Sequence, residues 1–209
     1  SASSMSTWGL RHIARRPAAN MPGKIALKLD PQIIAESMGK VTEGSIVVVG
    51  TNGKTTITNM IADALERQGK TVACNRTGAN LAYGVATTLL QTKGSVEWGV
   101  FESDELWLAH TLPQVQASYV LLLNLFRDQL DRCGEIDRVQ DAIVQALSES
   151  PDTVLLYNAD DPLCAMVALR VPNKSVAFGV GEDLHPRGSA AGGAPTAVRP
   201  CQPACRVDP

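Results

Sequence analysis

"IVVVGTNGKTTITNMIADAL", residues 46–65, decides how the rest of the chain is read. A run of β-branched residues ends at Gly50. A short turn follows, and from Lys54 apolar residues recur at Ile57, Met60, Ile61, Ala64 and Leu65. That is a buried strand, a turn and an amphipathic helix. Gly50 and Gly53 let the backbone turn so that N–H groups point inward, where a helix N-terminus also favours anions. Lys54 is placed to reach the outer phosphates of a nucleoside triphosphate, and the Thr55 hydroxyl to ligate Mg²⁺. The usual form of the motif would put its first glycine at Val48, so this loop is a shortened variant. ATP is the expected ligand, with Gly50, Thr51, Asn52, Gly53, Lys54, Thr55 and Thr56 as its loop contacts.

Outward from the loop, strand-like runs alternate with helical ones. Strands are expected at 45–49, 71–74, 98–102, 117–124, 153–158 and 175–179. Helices are expected at 54–68, 84–90, 106–112, 136–147 and near 162–170, and "PQIIAESMG" reads as a short helix closed by Gly39. Apolar strands alternating with helices predict an α/β fold with a mostly parallel sheet flanked by helices. Such sheets bind ligands at the carboxyl ends of their strands. The polar clusters Thr51–Thr55, Glu102–Glu105, Asn124–Asp131 and Asn158–Asp161 all fall there.

Composition narrows the function. A net charge of −2 argues against bulk electrostatic binding of nucleic acid. With 4% aromatic residues, stacking platforms for single strands are not expected either. No apolar run reaches the eighteen or so residues of a membrane span. Cys74, Cys133 and Cys164 lie in regular-looking segments, where a free cysteine behaves as a small core residue, and a reducing cytoplasm is the expected setting. None of His12, His110 and His185 sits in a motif, so no Ser-His-Asp arrangement is expected.

Three stretches are expected along the chain. Residues 1–40 read as a basic N-terminal arm and a short helix, 41–182 as an incomplete ATP-binding central domain, and 183–209 as an unstructured tail. The first 29 residues hold Arg11, Arg15, Arg16, Lys24 and Lys28 and no acid. An Arg-rich transit peptide would share that composition. Pro17, Pro22 and Gly23 interrupt any long amphipathic helix there, which favours a surface arm. The tail is rich in Pro, Gly, Ala and Arg without apolar period, too little to fold by itself. It reads as a linker, a disordered end or a shifted reading frame. Cys201 and Cys205 supply one pair where a structural zinc site takes four ligands, so zinc is not expected.

"GTNGKTT" (50–56) resembles the phosphate loop of the Mur ligases and folylpolyglutamate synthases. The likeness runs over residues 20–182, through "KIALKLDP" (24–31), "RTGANLAYGVAT" (76–87), "ESDE" (102–105), "NLFRDQLDRCGEID" (124–137) and "NADDP" (158–162). Together these are most similar to the MurT-type subunits of glutamine-dependent lipid II isoglutaminyl synthase. The resemblance implies an ATP-dependent carbon–nitrogen ligase of peptidoglycan synthesis. Such a subunit amidates the D-glutamate α-carboxyl of the lipid II stem peptide through an acyl phosphate, with ammonia from a GatD-like glutaminase partner. It would act in the bacterial cytoplasm, near the membrane face where lipid II is made.

The same resemblance makes Lys54 and Glu102 catalytic, Thr55 and Glu102 metal ligands, and Asn80, Asn158 and Asp161 nucleotide contacts. Thr77 would face the phosphates with Asn80. Asp104 and Glu105 stay open as alternatives to Glu102, and helix capping is the other reading of Asp104. Asn158 and Asp161 also suit a plain turn. Gln129 stands where many Mur ligases have a metal-binding His, and a neutral amide is the weaker ligand. Asp128 and Asp131 also fit as surface acids. The likeness stops near "FGVGED", which implies a chain lacking the Cys-rich insertion and closing domain of that family. A folylpolyglutamate synthase-like ligase and a non-catalytic nucleotide-binding or partner-docking fragment are the alternatives.

Overall fold

Val47, Val48 and Val49 have no exposed surface, and neither have Val100, Phe101, Val120, Leu122 and Leu155 on the strands around them. Consecutive burial at 47–49 and 100–101 requires cover on both faces of a sheet, which is why those strands read as unbroken apolar runs. The computed structural model describes residues 21–76, 78, 81–125 and 135–180. Of the residues singled out above, His12, Thr77, Asn80, Asp128, Gln129, Asp131, Cys133, His185, Cys201, Cys205 and the expected 183–209 tail lie outside the described residues.

The chain enters through helices α1 (Met21–Leu29) and α2 (Ile33–Ser37) and a 3-10 turn, Met38–Lys40. It continues as β1 (Val41–Val49), α3 (Lys54–Arg67), β2 (Val72–Cys74), α4 (Ala82–Gln91) and β3 (Val96–Glu102). A 3-10 turn, Glu105–Trp107, leads into α5 (Leu108–Val115), and β4 (Tyr119–Leu122), α6 (Glu135–Ser148), β5 (Val154–Asn158), α7 (Pro162–Arg170) and β6 (Ser175–Phe178) follow. The six strands form one sheet in the order β2-β3-β1-β4-β5-β6, and every pairing is parallel. The expected α/β architecture is what the chain forms.

The order positions the site. From β1 the chain crosses to β2 at the edge, fills in β3 between the two, and then places β4 against the other side of β1. The crevice between the carboxyl ends of β1 and β4 is therefore the switch point, where open α/β sheets bind ligands. Val48 pairs with Glu102 and Val49 with Leu122, so β1, β3 and β4 end level and their following loops meet.

Helix α1 is an element the sequence reading did not place. Pro22 and Gly23, expected to interrupt any long amphipathic helix, both lie within the nine-residue Met21–Leu29. A proline in the first turn lacks only an N–H that would have no partner there. Gly23 is buried where α1 crosses α4: a Cβ on it would fall 2.1 Å from the Tyr83 carbonyl. Its N–H donates to Thr87 Oγ1 (3.0 Å), which in turn donates to Tyr83 O (2.7 Å). The glycine is a close-approach residue.

Candidate functional site

Gly50 ends β1 with φ 145°, a conformation side chains rarely adopt. A Cβ there would lie 3.0 Å from Leu123 Cβ and 3.1 Å from the Asn124 N and O. The bare backbone thus lets the loop press against the end of β4. Gly50→Ala is expected to cost about 1–3 kcal/mol of stability from strain alone, read as an earlier denaturation midpoint; an unchanged midpoint would refute the tight fit.

Two asparagines clamp the surroundings. Asn52 N–H donates to Asn124 Oδ1 (2.9 Å) and Asn124 Nδ2 donates to Asn52 O (3.0 Å). Thr51 N–H reaches the Asn124 carbonyl at 3.0 Å. On the other side, Glu102 N–H donates to Asn75 Oδ1 (2.9 Å) and Asn75 Nδ2 to Glu102 O (3.3 Å). Each amide side chain serves as a two-way backbone bridge, so the loop and the end of β3 are held without extra secondary structure.

Past the loop, Gly53 is the N-cap of α3 and brings no side-chain acceptor to the first-turn N–H groups. Thr51, Asn52 and Gly53 are exposed. A helix N-terminus presented in this way, behind a Gly-containing turn, is a ready anion cradle. Lys54 stands at its start, 13% exposed, with Nζ donating to the Gly50 carbonyl and 3.3 Å from Glu105 Oε1. The same Glu105 oxygen accepts the Gly50 N–H at 3.1 Å. Glu105 thus bridges loop backbone and lysine and neutralises Lys54 locally, at a distance where direct ion pairing is strong in a half-dry site.

Glu102 is 2% exposed, and its Oε2 has no hydrogen-bond partner among the described residues. Gly78 marks what it faces: a Cβ there would be 3.2 Å from Thr55 Oγ1 and 3.8 Å from Glu102 Oε1. Hydroxyl and carboxylate therefore flank one point, an all-oxygen pair of the kind a hard cation takes. Among the described residues, no group of three or more His, Cys, Asp and Glu side chains is gathered to hold a metal by itself. The pair fits Mg²⁺ in the form in which substrate phosphates and water complete the shell.

The remaining candidates are anchored structurally. Asp104 Oδ1 accepts the Leu106 N–H (3.0 Å), the capping duty that was its other reading. Asn158 donates to Leu123 O (3.0 Å) and accepts the Asp160 N–H (3.0 Å). Asp161 caps α7 through Leu163 N–H (2.8 Å) and Cys164 N–H (3.4 Å), while its other oxygen accepts Leu125 N–H (2.8 Å). Both residues thus tie the end of β5 to the segment after β4. Thr56 is exposed on α3. His110 is exposed, its ring tilted against Trp107. Cys74 and Cys164 are free, and burial pushes the Cys74 thiol up to about 11 and the Cys164 thiol up further, so neither suits nucleophilic work.

Sheet, switch point and loop define a phosphate-loop α/β domain. The family profile for the Mur ligase middle domain matches residues 48–187, and the chain belongs to that family. The MurT subunit of lipid II isoglutaminyl synthase (glutamine-hydrolyzing) from Streptococcus pneumoniae (strain ATCC BAA-255 / R6) is 37% identical over 164 residues, covering 77% of this chain and 36% of that protein. The subunit of the same name from Staphylococcus aureus (strain COL) is 31% identical over 176 residues, 79% of this chain and 40% of the relative. The chain thus spans well under half the length of these relatives. Among solved structures, MurF ligase from Thermotoga maritima in complex with ADP superposes with a TM-score of 0.59 at 21% identity, over 71% of this chain and 36% of that one. Among the described residues, no helix is long and apolar enough to cross a membrane.

Proposed function

We infer that this domain binds ATP–Mg²⁺ and serves an amide ligase of peptidoglycan synthesis. The observation carrying this reading is the uncapped N-terminus of α3 behind the Gly50–Gly53 turn, with Lys54 at its start and with Thr55 Oγ1 and Glu102 Oε1 flanking one point. The N–H groups at the start of α3 and Lys54 would hold the phosphates. Thr55 and Glu102 would hold Mg²⁺, which when bound supplies positive charge against the phosphoryl oxygens.

The names of the MurT relatives support a finer reading, in which the substrate is the D-glutamate α-carboxyl of the lipid II stem peptide. A carboxylate oxygen attacks the γ-phosphorus and ADP leaves, giving an acyl phosphate. Ammonia from a GatD-like glutaminase then attacks the acyl carbon, and phosphate departs with the C–O electron pair. Lys54 would stay with the transferring group, where charge builds, which is what makes it catalytic as well as binding. Asn80, Asn158 and Asp161 are proposed nucleotide contacts. The amidation itself belongs to the full-length assembly, because nucleotide closure and acceptor positioning can carry much of a barrier. This chain's own part is nucleotide binding.

Calorimetric titration of ATP with Mg²⁺ tests it. Binding is expected for the unaltered chain, and Lys54→Ala is expected to weaken it about 10- to 100-fold, the loss of one charge-assisted contact. Equal affinity in both proteins would overturn the phosphate-loop reading. Adding a glutaminase partner and lipid II separates an amide ligase from a nucleotide-binding module: only the former couples ATP consumption to both additions.

A further inference from the structure

Among the described residues, helix α1 presents an unpartnered face of unusual composition. Gly23 is buried against α4 and Ala26 and Leu27 are half-buried, whereas Met21, Pro22, Lys24, Ile25, Lys28 and Leu29 are all exposed. At 3.6 residues per turn, Met21, Ile25 and Leu29 form one row, four residues apart, and Lys24 and Lys28 the adjoining row. Met21 is 48% exposed, Ile25 52% and Leu29 82%. Isolated exposed apolar residues need no explanation, but three in register beside two lysines do.

Charge indicates the occupant. The outward face holds two cations and no anion, and the twenty residues that precede α1 add Arg11, Arg15 and Arg16 with no acid. The nearest acid in sequence, Asp30, follows the last residue of the helix and accepts the Gln32 N–H at 2.8 Å. The whole chain carries −2, so the basic character is local to this end. An apolar row flanked by cations, on a helix that cannot span a membrane, suits the headgroup boundary of an anionic bilayer, with Met21, Ile25 and Leu29 entering the acyl edge and the lysine ammonium groups reaching the headgroups. We propose that the outward face of α1 docks this protein peripherally on an anionic membrane surface. The site is separate from the phosphate loop and stands or falls without it.

Sedimentation of the full chain with vesicles tests the proposal. One set is pure phosphatidylcholine, the other phosphatidylcholine containing phosphatidylglycerol. Partition is expected into the anionic vesicles only, and it should fall as salt shortens the reach of the charges. The double substitution Ile25→Glu with Leu29→Glu should lower the partition coefficient at least about tenfold, and Lys24→Gln with Lys28→Gln several-fold. All four positions are exposed, so the fold should be kept, which circular dichroism checks. Partition that ignores the double substitution, equal partition into both vesicle sets, or no partition at all would overturn the proposal. Concentration-dependent self-association abolished by the same pair would reassign the face to a second copy of the chain.

Discussion

Glu102→Gln is expected to raise the stability of the ligand-free protein while abolishing the Mg²⁺-dependent part of nucleotide binding. The two effects share one cause. The Glu102 backbone is fixed from both sides by Asn75, so the side chain cannot leave its buried place at the end of β3. One carboxylate oxygen there has no partner among the described residues. A buried charged oxygen without a hydrogen bond costs about 1–3 kcal/mol. Glutamine keeps the shape and removes the charge, although it leaves one polar atom unpaired. A gain of about 1–2 kcal/mol follows, a rise in Tm of about 3–6 °C for a domain of this size. The same exchange replaces an anionic oxygen by a neutral amide beside Thr55, a much poorer partner for a hard cation. ATP affinity in the presence of Mg²⁺ should fall about 10- to 100-fold, towards the metal-free value. Thermal denaturation and calorimetry on one preparation read both signs. A lower Tm would show that the carboxylate is satisfied and structural. An unchanged Mg²⁺ dependence would remove it from the metal site.

Glu105 carries the other charge at the loop, and its role differs in kind. It is already paired, with Lys54 and with the Gly50 N–H. Every positive charge that Lys54 offers to a phosphate is therefore partly answered before the ligand arrives. With Glu102 nearby as well, the cradle relies on backbone N–H groups and on the cation that accompanies the nucleotide. The geometry thus gives the two acids of "ESDE" separate work, while Asp104 between them caps a turn. Their order in the sequence does not reveal this division.

What the sequence made legible was local. The strand–turn–helix at 46–65 and the alternation of apolar runs are set by residues a few places apart, and β1, α3, β3, α6, β5 and α7 all form where those patterns lie. What it concealed depends on distant partners. Asn124 is 72 residues from the Asn52 it clamps, Asn75 is 27 from Glu102, and Glu105 is 55 from Gly50. Asn124 was visible only as the polar end of an apolar strand, a position that in a parallel sheet faces the switch point; that was the available signal. Helix α1 was hidden for the same reason. Its glycine looks like a breaker until α4 is brought within 2.1 Å of a would-be Cβ.

Asp161→Ala should be among the most destabilising changes in the domain. Three backbone N–H groups converge on this carboxylate, two from the first turn of α7 and one from Leu125. Losing the cap costs about 0.5–2 kcal/mol. Leu125 is 1% exposed, so its N–H would also be left buried and unpaired, a further 1–3 kcal/mol or so. Together about 2–4 kcal/mol is expected, a fall in Tm of roughly 5–15 °C without any ligand. Asp161→Asn keeps one acceptor oxygen and should lie between the two proteins. The resemblance to Mur ligases instead implies a nucleotide contact for this residue, and the two roles predict different measurements. A nucleotide contact alone would leave the ligand-free Tm in place and weaken ATP binding. A clamp lowers Tm first, and affinity falls only as the ends of β4 and β5 lose their alignment. Both oxygens already accept backbone donors, so a lowered Tm is expected first, and any contact with the nucleotide would use the remaining acceptor capacity of the same carboxylate. An Asp161→Ala protein with an unshifted Tm and lost affinity would show that the carboxylate turns to the nucleotide at little cost to the fold.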